Sequence, residues 1–222
     1  MDILEAIKSR KSVRGFTTQP VPKAILEEML PIATRSQSAG NTQPWEITIA
    51  TGDTLDRIKE ENASKLSSGV APNWDFPLSA YEGVYKARYA ENTQRLYALL
   101  GIAREDKARR TEWQLKNVRF FDAPTVIFIS VDKILDDMRC VFDCGALTQT
   151  ICLVASNYGL GTCPQLSSIT YPETIKKFTG IAESKRILIA ISIGYPDWNF
   201  PGNRHQSSRE ALNNVTSWCG FD

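Results

Sequence analysis

Apolar residues recur along this chain at several spacings, and each spacing predicts a different element. Ile3, Leu4 and Ile7, with Asp2 and Glu5 as acidic capping residues, predict a short N-terminal helix with that stripe buried. Residues 10–20 are basic and irregular. Pro22 opens a second helical period in which Ile25, Leu26, Met29 and Leu30 face inward, and Pro31 is expected to kink or end it. A polar loop containing glycine covers residues 35–44. Trp45, Ile47 and Ile49 then alternate with Glu46 and Thr48, the pattern of a half-buried strand. Asp53 is expected to cap a short helix carrying Leu55 and Ile58. Two apolar runs of the fully buried kind, one opened by Pro124 and one spanning 187–193 up to Gly194, predict interior strands. Between them, residues 136–158 are apolar around most of a helix circumference and read as a central core helix ended by Gly159. Thr170 and Pro172 start one more helix, which Gly180 closes.

Two stretches do not fit these periods. Residues 64–118 carry Trp74, Phe76, Tyr81, Tyr85 and Tyr89 and end in a charged helix from about Arg104; they read as a helical excursion from a single domain covering 1–222. Residues 195–222 form a long polar tail with Trp198, Phe200 and Trp218. Aromatic side chains on such a tail need a surface to cover, and a partner subunit would provide one. Few strands among many helices indicate an α+β layer structure.

Composition narrows the classes. Hydrophobic residues make up 42% of the 222, enough for a real core. Twenty-six Lys and Arg against 25 Asp and Glu give a net charge of +1, which offers no pull toward nucleic acid or an anionic membrane. The N-terminus has no apolar signal core, and the longest uncharged stretch, 144–172, is broken by Gln149, Asn157 and Pro164, so its first part reads as a buried helix. A cytoplasmic protein is expected. Five cysteines without a CxxC pair do not make a disulfide framework, and Cys140 and Cys144 read as small buried hydrophobes, with no metal site expected. A single histidine, His205, argues against a Ser/His/Asp triad and against a multi-histidine metal site. Chemistry in this chain therefore points to a cofactor.

Four clusters carry candidate chemistry. Arg10, Lys11, Ser12 and Arg14 place two guanidinium groups, an ammonium and a hydroxyl where they can grip a phosphate dianion. Residues 36–45 (SQSAGNTQPW) offer small and amide side chains suited to a polar ligand edge. Residues 159–165 (GLGTCPQ) resemble a dinucleotide fingerprint only superficially, because they follow a helix and Pro164 stands where the third glycine belongs; they read as a loop able to present backbone N–H groups. The tail supplies Arg204 and Arg209.

In this order the clusters resemble the motifs of FMN-dependent nitroreductases. RKSVRGF (10–16) resembles the opening motif and SAGNTQPW (38–45) the second; residues 117–124, 159–165 and Gly194-Tyr195-Pro196 with Arg209 continue the match over essentially the whole chain. Gln37 stands where many members have proline, and Lys11 where many have arginine or histidine. The resemblance implies a mostly antiparallel mixed sheet wrapped by helices, an intertwined homodimer embraced by the tail, and an FMN at each subunit interface. Arg10, Lys11, Ser12 and Arg14 would face its phosphate and ribityl end, with Arg209 closing on the phosphate and Arg204 as its alternative. Ser38 and Asn41, with Gln37 and Ala39 beside them, would come from the other subunit. Pro164, Gln165 and Leu166 would lie along the flavin. NADH or NADPH would pass hydride to flavin N5, and a nitroaromatic or related electron-poor acceptor would be reduced in a ping-pong cycle. Flavin N5 carries the chemistry, and no protein group is assigned as catalytic. Quinone or enone reduction, reductive dehalogenation, and flavin binding without turnover remain alternatives on the same scaffold.

Overall fold

The two apolar runs become the two central strands. In the computed structural model, which describes residues 2–221, β1 (Trp45–Thr51), β2 (Thr125–Asp132), β3 (Gly161–Gln165) and β4 (Lys185–Gly194) form one antiparallel sheet in the order β1-β2-β4-β3. Seven of the eight residues of β2 are buried. Because side chains alternate across a strand, β2 feeds two cores. Ile127, Ile129 and Val131 meet Ile191 and Ile193 of β4 under helices α2 (Lys23–Ala33) and α6 (Met138–Asn157). Val126 and Phe128 face the other way, toward Leu55 and Ile58 of α3 (Gly52–Ser67) and Ile175 of α7 (Pro172–Thr179). Helices thus cover both faces of the sheet. A short α1 (Ile3–Ser9) lies against α6. The excursion supplies α4 (Gly83–Leu99) and α5 (Lys107–Val118), whose buried Leu96 and Trp113 share a third cluster with Phe121 and Cys163.

Several local expectations are corrected. The α1 stripe is not buried: Ile3, Leu4 and Ile7 are 60%, 59% and 51% exposed, only Ala6 is covered, and Asp2 makes no side-chain cap bond. Pro31 does not end α2, which runs on to Ala33; the proline lies on the exposed side, where the carbonyl it leaves unbonded can reach water. Asp53 is inside the first turn of α3, behind Thr51 at the cap position, and α3 is 16 residues long. The glycine-bearing segment after α6 is not a loop but the edge strand β3; Gly159 (φ 69) reverses the chain, and an edge tolerates Pro164, which has no N–H to pair. Helix α6 is long and apolar enough to cross a membrane by length and composition, but its inner face is packed into the core through Cys140, Cys144, Leu147, Ile151, Cys152 and Ala155. Its outer face is bare, with Met138 82% and Phe142 64% exposed.

Candidate functional site

Residues 10–16 run as an extended segment beside β3. Val13 donates its N–H to Thr162 O (2.9 Å), Ser12 and Thr162 form a parallel bridge, and Phe16 pairs antiparallel with Pro196 at the start of the tail. The parallel bridge is the one departure from antiparallel pairing at this edge. Extended backbone sends alternate side chains to opposite sides. Val13 and Gly15 are buried, and Arg10, Ser12 and Arg14 share the other side. Two glycines permit the close approach. A Cβ on Gly161 would stand 2.6 Å from Val13 Cγ2, and one on Gly15 would stand 2.5 Å from the Phe200 ring.

The tail is fastened to this segment by one fully buried amide. Asn203 Oδ1 accepts from Arg14 N (2.7 Å) and Gly15 N (3.2 Å), while its Nδ2 donates to Gly15 O (2.7 Å) and Asp197 O (2.8 Å). This join folds the end of the tail back over the first motif and closes a cavity of about 460 Å³. Five cationic side chains line it, Lys8, Arg10, Lys11, Arg14 and Arg209, and among the described residues no carboxylate does. Among the described residues none of the five is ion-paired with a carboxylate: Arg209 curls onto Ser207 and Ser208, Arg14 reaches Ser12 O (3.3 Å), and Lys11 lies over the Trp198 ring. Ser12 completes the lining that sequence reasoning proposed, and Arg204 is exposed outside it. Such a donor set, unneutralised and convergent, fits a phosphate monoester. His205 and Asn92 also line the cavity. Neither was among the sequence candidates; the one signal for His205 was its place four residues before Arg209.

The second motif lies elsewhere. Gln37, Ser38 and Ala39 line a separate cavity of about 390 Å³ with Met138, Arg139, Phe142 and Asp143, and it shares no lining residue with the first. Buried Asp143 accepts from Ala39 N (3.0 Å), Ser36 Oγ bonds Thr150 Oγ1 (2.8 Å), and Ser38 Oγ accepts from Gln43 N (3.0 Å), so α6 shapes this loop. Asn41 is exposed with φ 56, outside that lining. Within one chain, therefore, residues 37–41 do not meet Arg10 and Arg14.

Beyond the cation cavity, β3 leads to Pro164, half-buried, Gln165, buried, and Leu166, 40% exposed. The Gln165 amide is already occupied. Its Nε2 donates to Asn117 Oδ1 (2.8 Å) and its Oε1 accepts from Ser192 Oγ, so only its backbone is available to a ligand. Trp74 Nε1 donates to Leu166 O (3.1 Å), which fixes the next carbonyl and ties Trp74 to the body. Ser192 Oγ also lies 2.9 Å from Phe120 O, a second acceptor for its single proton, within a turn where Phe120, Phe121 and Asp122 all have φ near +57 (58, 55 and 57). Left-handed backbone at bulky residues costs about 1–3 kcal/mol each. Complete burial of Phe120 and near-complete burial of Phe121 hold it, with the Arg14 guanidinium 6.0 Å from the Phe121 ring. Burial pushes the neighbouring Cys163 thiol up to about 11 against the opposing pull of Arg14, which makes it a packing residue and not a nucleophile. The first half of α4 is bare, with Tyr85 64% and Tyr89 61% exposed, and Arg88 is engaged by Glu210 of the tail at 2.6 Å.

The nitroreductase family model matches residues 7–195. The chain belongs to the nitroreductase family. Among curated members it is 31% identical to the 4-nitrobenzoate reductase of Pseudomonas putida, covering 100% of this chain and 97% of that protein. It is 29% identical to the nitroreductase NfnB of Mycolicibacterium smegmatis, over 95% of this chain and 89% of that one. Among solved structures, the FMN- and NADPH-dependent nitroreductase NfnB of Sphigopyxis sp. strain HMH superimposes with a TM-score of 0.95 at 31% identity, with all of both chains covered. The α+β nitroreductase fold expected from the motifs is thus the fold of this chain.

Proposed function

We propose that this nitroreductase-family chain is an FMN-dependent oxidoreductase that takes hydride from NADH or NADPH and reduces nitroaromatic or related electron-poor acceptors. The observation that carries the reading is the 460 Å³ cavity in which the first motif and the tail bring together five cations without a carboxylate. Arg10, Lys11, Ser12, Arg14 and Arg209 hold the phosphate and ribityl end there. Pro164, Gln165 and Leu166 lie along the ring system and offer backbone groups; the Asn117–Gln165–Ser192 bonds keep that backbone in place. Bound FMN would supply a two-electron centre between a nicotinamide donor and the acceptor, a chemistry that no side chain here provides. The protein contributes position and a fixed positive field. Donor and acceptor use one space in turn, which makes the kinetics ping-pong.

Gln37, Ser38, Ala39 and Asn41 serve the site of a partner subunit. Three bare apolar surfaces support a homodimer: Ile3, Leu4 and Ile7 on α1, Met138 and Phe142 on α6, and Leu212, Val215, Trp218 and Phe221 on the tail. Lone exposed apolar residues are ordinary, but contiguous ones mark interfaces. The working unit is then a cytoplasmic dimer of single-domain chains, 1–222, acting on small molecules, with no nucleic-acid or membrane partner; the tail is held to its own chain as far as Arg209, so the embrace of the other subunit falls to its apolar end, from Leu212 to Phe221.

The test is flavin binding followed by turnover. The purified protein is expected to carry flavin absorbance that bleaches anaerobically on adding NADH or NADPH and returns with a nitroaromatic. Arg209→Ala is expected to weaken FMN about 10- to 100-fold, the worth of one charge-assisted contact, and to leave riboflavin binding unchanged. A protein that binds no flavin would overturn the reading. Phe142→Lys with Ile7→Lys is expected to give monomers in sedimentation and to lose FMN; dimers of undiminished affinity would remove the proposed interface.

A further inference from the structure

The cation cavity contains two titratable groups that the assignment above leaves without a task, Lys8 and a histidine. His205, the only histidine of the chain, lines it and is 5% exposed. The 3-10 turn Pro201–Arg204, held through buried Asn203 to the backbone of Arg14 and Gly15, delivers it there. Its Nε2 is 2.9 Å from Asn92 Oδ1 on α4. A carboxamide oxygen only accepts, so in the neutral ring the proton belongs on Nε2 and Nδ1 is left as a bare acceptor. Among the described residues Nδ1 has no hydrogen bond of its own.

The charged groups acting on this ring are Arg14 and Arg95, the latter also paired with Glu91 at 2.6 Å, and the other charged side chains lining the cavity are cations. Arg14 comes from the first motif, Arg95 from α4, Lys8, Arg10 and Lys11 from α1 and the segment after it, and Arg209 from the tail. Burial first, and then Arg14 and Arg95, hold its pKa below the ordinary 6.5. A second proton on this ring is unfavourable only while the cavity lacks an anion. A phosphate dianion supplies the opposite charge, and an opposite charge within about 4–6 Å raises the pKa of a base by about 1–3 units.

We propose that His205 is a further phosphate ligand of this site: as the dianion enters, Nδ1 takes a proton from solvent and the imidazolium becomes the sixth cation of the cavity, coupling FMN binding to proton uptake. This rests on the reading of the cavity as the phosphate site. Asn92 acts as a positioning residue, because its carboxamide sets which ring nitrogen is free.

A single histidine makes the test direct. The imidazole C2 proton of the untagged full-length chain is followed by NMR against pH, once with FMN bound and once with riboflavin bound. The midpoint is expected about one unit or more higher with FMN than with riboflavin, which lacks the phosphate. In parallel, His205→Gln keeps a donor toward Asn92 but cannot titrate. Calorimetry of FMN binding in two buffers of different ionisation enthalpy is expected to show fewer protons taken up by this variant, and its preference for FMN over riboflavin at pH 6 is expected to fall about tenfold. Equal His205 midpoints in the two complexes, while Arg209→Ala still weakens FMN and spares riboflavin, would overturn the role of His205 and leave the cavity assignment standing. Equal affinity for FMN and riboflavin, unchanged by Arg209→Ala, would overturn both.

Discussion

Replacing Asn203 by alanine removes the amide that joins the tail to the first motif and breaks four hydrogen bonds at once. It strands two N–H groups, the buried one of Gly15 and the part-buried one of Arg14, which can recruit water; Gly15 C=O and Asp197 C=O keep the bonds they accept from Asp197 N (3.0 Å) and Phe200 N (3.2 Å). An orphaned buried polar group costs about 1–3 kcal/mol, the part-buried Arg14 N–H adds less, and each of the two bonds lost to carbonyls that keep a partner is worth about 0.5–1.5 kcal/mol, so Asn203→Ala is expected to lose about 3–5 kcal/mol. For a chain of this size that corresponds to a fall of about 10 °C in Tm. The assay is equilibrium urea denaturation at fixed protomer concentration, because a dimer's midpoint depends on concentration, with FMN and riboflavin affinities measured on the same preparation. Arg14 loses its backbone anchor, so FMN is expected to weaken more than riboflavin. Asn203→Asp keeps the acceptor and loses both donors, and it buries a charge, so it is not expected to rescue. A loss below about 1 kcal/mol at unchanged m-value would refute the claim that this amide fastens the tail.

Gly161→Ala would place a methyl 2.6 Å from Val13 Cγ2 and 2.8 Å from Pro196 Cγ. Overpacking of this kind costs about 1–3 kcal/mol. Thermal melts are expected to show the loss, and FMN titration a weaker complex, because the displaced segment carries Ser12 and Arg14. The thiols of Cys144 and Cys163 are pushed up by burial to about 12 and about 11, so both are expected to resist a thiol reagent at pH 8 in the folded protein. Their neutral forms favour the fold. That contribution is fully present below the ordinary thiol value of 9.0 and is lost as pH rises through about 11 to 12. Denaturation midpoints measured from pH 8 to 11 are expected to fall; labelling of either cysteine at pH 8 without unfolding would contradict the burial.

Much of this chain was legible without coordinates wherever a local rule and the global fold agreed. The buried strands β2 and β4, the stop at Gly180, the helix opened by Pro172 and the half-buried strand at Trp45 follow from apolar runs, turn chemistry and alternation. The first motif was readable as a cluster of cations but not as an extended segment, and it is the extended course beside β3 that puts residues 10, 12 and 14 on one side. What failed did so where a residue's neighbours come from far along the chain. The stripe of α1 has helical spacing, but spacing cannot say which surface will cover it, and in a single chain nothing does. Residues 161–165 look like a loop by composition and become a strand because β4 offers them an edge. Gln165 was read as lying along the flavin, and nothing in its spacing says that Asn117 and Ser192 occupy its side chain and leave only its backbone. Sequence determined which residues carry charge, period and turn. The tertiary structure alone decided that Asn203 would meet Gly15, that Arg209 and not Arg204 would join the cavity, and that the only histidine would stand among cations, because each of these depends on packing between segments nearly two hundred residues apart.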